Sequence, residues 1–135
     1  MPPLTPRESQ LFQRLRSWGW SAEQARIGIR AGFRCEYCGR DLLESVNSYY
    51  SWQRDHIVPK SAAGSGGLAN RALACRTCNF NLKRRWDPRS AAGKNASRAE
   101  LIKAVKRYVR AQRQRVQREQ LVPLRRLLRR RQGAA

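Results

Sequence analysis

Four cysteines fall in two pairs, Cys35-Glu36-Tyr37-Cys38 and Cys75-Arg76-Thr77-Cys78, with 36 residues between the inner members. Each C-x-x-C turn aims two sulfurs at one point, and two turns supply the four thiolates of a tetrahedral zinc site. Two disulfides, or a redox pair at one turn, would use the same residues. The opening MPPLTPRESQ lacks the apolar core of a secretory signal, so a reducing compartment and a structural zinc are the expectation. Such an ion has no open coordination position and would serve only to hold the fold together. Asp55 and His56 lie between the turns, and Asn79 follows the last cysteine. His56 is the only histidine; its ordinary pKa of about 6.5 leaves it largely neutral and able to take a proton from water. A lone histidine is ordinarily a zinc ligand or a core residue. With four cysteines already completing a zinc site, the base role has the stronger case. Asp55 and Asn79 offer hard oxygens suited to Mg²⁺ or Mn²⁺, which keep several waters and need few protein ligands.

The elements that must position these residues can be read in order. Thr5-Pro6-Arg7-Glu8 is a capping box with proline at the first helical position, and Leu11, Phe12 and Leu15 carry a helix to about Ser17. Trp18-Gly19-Trp20 breaks it. A second helix starts at Ser21, with Ala25, Ile27 and Ile29 inside and Gly32 as its stop. The run from Tyr49 to Ile57 (YYSWQRDHI) is expected to be a strand ended by Pro59, and residues 60–67 a small-residue loop. Asn70 to Ala74 would be a short second strand, and Thr77 to Arg85 a helix stopped by Asp87-Pro88. Neighbouring residues of a regular strand face opposite ways, so Asp55 and His56 can address one ligand only at a strand end. On the following helix Asn79, Leu82 and Lys83 would share a face. Residues 90–96 read as a linker. Ser97-Arg98-Ala99-Glu100 then caps a long helix whose stripe runs Leu101, Ile102, Val105, Tyr108, Val109 and Val116, with Pro123 interrupting it before a basic LRRLLRRR piece.

Composition bounds the partners. The 135 residues carry 29 Lys and Arg against 9 Asp and Glu, a net charge of +20. Such a chain has room for one small domain with appendages, and a domain below about 70–80 residues usually needs a staple. The charge favours a polyanion. From Arg98 onward there are 13 positive and two negative residues, so more than half the excess charge lies in the last 38 positions. No run approaches the ~18 apolar residues of a membrane span. A cytoplasmic, nucleoid-associated protein is therefore expected, with no membrane partner and no small-molecule cofactor.

The ordered set Cys35, Cys38, Asp55, His56, Pro59, Gly66, Gly67, Asn70, Cys75, Cys78 and Asn79 resembles the HNH endonuclease family, whose ββα-metal motif is often framed by two C-x-x-C zinc turns. The resemblance spans about residues 32–83. It implies a small zinc-stapled ββα-metal (HNH) domain over residues 35–89; with the N-terminal helical arm over 1–34 and the linker and basic helical tail over 90–135 read from the residue pattern, the expected fold class is α+β. It implies an endonuclease in which His56 activates water, Asn70 orients that histidine through its amide, and Asp55 and Asn79 hold a divalent ion. Phosphodiester hydrolysis needs this combination of an activated water, charge stabilisation at the phosphate and help for the leaving oxygen. Two features depart from the family. Asn79 stands where histidine is common, and Lys83 lies one place later than the family's Asn-x-x-Lys puts its lysine. Lys83 could still reach a phosphate, or could be a solvated helix charge beside Arg84 and Arg85.

DNA is the expected partner, with RNA possible, gripped by Lys83, Arg84, Arg85 and by Arg107 and Arg110 of the tail. Each phosphate neutralised adds a slope of about −0.9 in log K against log salt. The tail's apolar stripe suggests a face docked on the domain, and lying on an anionic membrane is a minor alternative. A zinc-stabilised nucleic-acid-binding protein without turnover, or a partner subunit with a degenerate site, would share the composition. The set Asp55, His56, Asn70 and Asn79 favours the enzyme.

Overall fold

A computed structural model describes residues 2–133. Helix α1 (Pro6–Ser17) begins at Thr5, whose hydroxyl accepts from Glu8 N while the Glu8 carboxylate accepts from Thr5 N. The Ser21–Gln24 pair opens α2 (Ala22–Arg30) in the same way. These two helices, with Leu15, Trp20 and Ala25 buried between them, form a satellite core. Trp20 stacks on Trp52 at 4.4 Å and so ties this arm to the first strand.

The sheet has two antiparallel strands, β1 (Trp52–His56) and β2 (Arg71–Cys75), with His56 opposite Arg71 and Trp52 opposite Cys75. The strand expected from Tyr49 begins three residues later. Ser45 instead caps a helical turn, α3 (Val46–Tyr49), by accepting from Ser48 N at 3.0 Å. Hydroxyl capping outweighs the β preference of the two tyrosines. Between the strands, the loop folds back so closely that a Cβ on Gly64 would lie 1.9 Å from the Val58 carbonyl oxygen. Only glycine fits there.

After β2 the chain forms a π-helix, Thr77–Lys83, rather than the expected α-helix to Arg85. Arg84 ends it with φ +51°, and its N–H donates to the Asn79 carbonyl five residues back at 2.8 Å. A π turn accommodates one more residue than an α turn, and the lysine that comes one place late is taken up in this way. Arg89–Ala92 is a single turn, α4, overlapping the start of the expected linker. Helix α5 (Arg98–Val116) opens on the Ser97–Glu100 capping box. Its Val105 and Val109 are buried in the main core with Ile27, Tyr37, Leu42, Ile57, Leu73, Cys35, Cys75 and Cys78. The first half of the basic tail is therefore a structural wall of the domain.

Pro123 does not interrupt the helix. A second π segment, Gln117–Leu121, precedes α6 (Val122–Gly133), and Pro123 sits in the first turn of α6. Proline crowds the carbonyl four residues earlier and donates no hydrogen bond; the widened turn makes room for it. No helix among the described residues is long and apolar enough to cross a membrane.

Candidate functional site

The two C-x-x-C turns bring all four sulfurs within 4.8 Å of one another, with Cys38 Sγ and Cys75 Sγ 3.8 Å apart. A tetrahedron of ~2.3 Å zinc–sulfur bonds has edges of about 3.8 Å, so donor set and size suit one zinc ion. Both turns use the same device, in which the backbone N–H of the second cysteine donates to the first cysteine's sulfur at 3.4 Å. Glu36, inside the first turn, pins it to β2: its carboxylate accepts from Leu73 N at 2.7 Å and from Arg98 at 2.8 Å. Arg113 of α5 donates to Cys78 Sγ at 3.2 Å and is 3.8 Å from Cys75 Sγ. Sulfur–sulfur contacts split the four thiols, lowering Cys38 and Cys75 and raising Cys35 and Cys78. A bound metal would take all four as thiolates and release their protons.

Asp55 is buried on the sheet face that meets the π-helix, and two donors converge on its Oδ2: the Tyr37 hydroxyl at 2.6 Å and the Lys83 ammonium at 3.0 Å. Burial, then the Asp55 charge, pushes the Tyr37 phenol well above its usual range, so it stays a donor. Lys83 is 1% exposed and also donates to the His56 carbonyl at 3.1 Å. The expected phosphate contact is therefore corrected. Lys83 faces inward, because a buried carboxylate needs a counter-charge more than solvent needs another lysine. Its π-helical register is what brings it there.

His56 closes β1, is half-buried, and opens with Asp55 onto a cleft of about 420 Å³ lined also by Pro59, Lys60, Ser61, Arg84 and Arg85. The strand end lets two consecutive residues reach one cleft. Arg71, its cross-strand neighbour, brings NH1 to 3.4 Å from Nδ1. Burial, then the positive charge of Arg71 and that of Lys60, hold the imidazole below its usual pKa against the opposing pull of Asp55 and Glu23.

The Asn70 side chain makes no hydrogen bond to the imidazole among the described residues. Its Oδ1 accepts from Val58 N at 2.8 Å, and its Nδ2 donates to the carbonyls of Val58 and Ser65 at 2.9 and 2.7 Å. Its own carbonyl accepts from Ile57 N at 2.9 Å. The amide thus acts on the loop after His56 and on the strand end, not on the ring. Asn79 donates through Nδ2 to Gln53 Oε1 at 2.8 Å and lines a second cleft with Phe80, Arg84 and Arg85. The two clefts share Arg84 and Arg85 as a common wall. Arg107 and Arg110 are exposed on α5 but line two other clefts, the first with Trp86 and Tyr108, the second with Cys38 and Gly39.

Oxygen donors for a hard ion remain at both positions. Asp55 Oδ1 receives no hydrogen bond among the described residues, and the Asn79 amide, held by its nitrogen, keeps its oxygen. Sequence reasoning missed Tyr37, Arg71 and Arg113. Only Tyr37 carried a local signal, an aromatic inside a C-x-x-C turn where small polar residues would suffice.

Residues 35–85 match the family model described as HNH endonuclease. This segment is therefore similar to HNH domains, a likeness that points to nuclease or other nucleic-acid function. No curated protein and no solved structure matches the chain.

Proposed function

We propose that the protein is a metal-dependent HNH endonuclease that hydrolyses phosphodiester bonds in DNA. The observation that carries this reading is His56, half-buried at a strand end and opening with Asp55 onto a cationic cleft. Asp55 and Asn79 would hold Mg²⁺ or Mn²⁺, which neutralises charge on the phosphate and on the departing oxygen. Lys60, Arg84 and Arg85 draw the phosphate in. The neutral imidazole of His56 accepts a proton from water as its oxygen attacks phosphorus and the phosphorus–oxygen bond to the sugar opens. Asn70 keeps the loop after His56 closed, and Arg71 disfavours a lasting imidazolium. Exposed tail arginines, Arg107 and Arg110 among them, add phosphate contacts without reading bases.

One observation favours a second reading, a zinc-stabilised nucleic-acid-binding protein without turnover. The Lys83 ammonium 3.0 Å from Asp55 Oδ2 already supplies a positive charge where the ion would bring its own. Cleavage of supercoiled plasmid by the full chain with Mg²⁺ or Mn²⁺, against EDTA and the His56→Ala variant, separates the two. Metal-dependent cutting that the variant lacks is the expected result. Plasmid binding with no cutting by either protein would support the binder. Because the imidazole must be neutral, cleavage should rise with pH through a midpoint below about 6.5. A bound cation lowers that midpoint further, and Arg71→Ala should raise it.

A further inference from the structure

Phe80 has no role in the chemistry above, yet its place is unusual. It stands beside Asn79, which turns inward to Gln53, and its own ring is 57% exposed. The Arg76 guanidinium lies over the ring, 4.9 Å from its centroid. Phe80, Asn79, Arg84 and Arg85 line a cleft of about 560 Å³, and the last two also wall the His56 cleft. The two clefts thus adjoin at Arg84 and Arg85, the first holding Lys60, Ser61, His56 and Asp55, the second Asn79 and Phe80. Cationic side chains suited to phosphates line both, and the second adds a flat aromatic face.

An exposed phenylalanine gains nothing from water, and this ring is held from one side by a cation. The partner must bring both anionic charge and a flat apolar face, which is the chemistry of a nucleotide strand. A base inside an intact duplex hides its faces against its neighbours. An exposed side chain reaches one by wedging open a base step, or by receiving a base that is already out, and the second costs least where pairing is already lost.

We propose that Phe80 is the specificity-determining residue of the site, stacking on a base unstacked beside the scissile phosphate, so that the preferred substrate is DNA with an unpaired or weakly stacked base at the cut. That the neighbouring phosphate is the one cut rests on the nuclease reading; the stacking does not. Arg76 pre-sets the ring angle, and Arg84 and Arg85 hold the phosphates on either side of the extruded nucleotide.

The test uses the His56→Ala full-length protein and two DNA duplexes carrying 2-aminopurine, one with that base in a small unpaired bubble and one fully paired. Binding should alter the bubble probe's fluorescence and favour the bubble over the paired duplex by about tenfold. Adding Phe80→Ala should remove both effects, while Phe80→Trp keeps them. The salt dependence of binding should not move, since no charge is lost. Zinc content and melting temperature equal to the parent's would show that the fold is intact. Equal fluorescence and equal preference with and without the Phe80 ring would overturn the proposal, as would a parent with no preference for the bubble. A stacking signal in a chain that never cuts any DNA would sink the nuclease reading alone and leave Phe80 as the base-binding residue of a non-catalytic protein.

Discussion

The described residues contain two π-helical segments, Thr77–Lys83 and Gln117–Leu121, and they arise for different reasons. The second is local. Pro123 would press its ring on the Glu119 carbonyl, four residues back, and the helix widens around that point. Its side chains are exposed and nothing distant depends on it. The first contains no proline. Its register is held at both ends by distant partners: Cys78 in the thiol cluster and Lys83 at Asp55. Between those anchors it turns Asn79 inward and Phe80 outward. A widened turn explained by its own sequence is a repair, whereas one explained only by its partners marks a site.

Removing the anchors should break the first segment and spare the second. The largest effect is expected from Cys75→Ser. The free energy of binding zinc to a four-thiolate site is folding energy, so this variant should lose zinc and cooperative unfolding. Retained zinc content and an unchanged circular dichroism spectrum would refute the staple. Next comes Lys83→Ala, which strands a buried carboxylate and should cost about 3–5 kcal/mol in urea denaturation. Pairing it with Asp55→Asn should recover much of the loss, and a solvated lysine would show no such coupling. Truncation after Val116 removes the second segment and six arginines but none of the buried residues of α5. It should leave stability nearly unchanged and reduce the salt slope of DNA binding by about 0.9 for each phosphate no longer neutralised. The smallest effect belongs to Pro123→Ala. It should return Gln117–Leu121 to α geometry with a stability change below about 1 kcal/mol, read as a slight gain in helical circular dichroism.

The same contrast explains what the sequence disclosed. The helix starts were legible because Thr5–Glu8, Ser21–Gln24 and Ser97–Glu100 are complete within four residues, and all three capping boxes form. The zinc cluster was legible because spacing alone constrains it. Lys83 was not, since its burial depends on Asp55, 28 positions earlier, and on a backbone register that no propensity scale encodes. Arg71 escaped notice for a related reason: it nears His56 only through the strand pairing. The docking of α5 was expected from its stripe, but its reach to the sulfurs through Arg113 was not. Pro123 misled in the opposite direction, because a helix end can be avoided where space allows a wider turn.

The two Arg113–sulfur contacts give the tail a meaning beyond grip. Four thiolates around a divalent ion would carry a net charge of −2, an isolated negative pole inside a chain of +20, and α5 delivers a guanidinium to it. Helix and metal then share one free energy. Whatever steadies the helix tightens the hold on zinc, and whatever takes the zinc loosens the helix by the same amount. A strand of DNA lying along the exposed arginines of α5 would steady the helix that carries Arg113, so polyanion should slow the loss of zinc to a chelator. The staple and the clamp are two ends of a single lever.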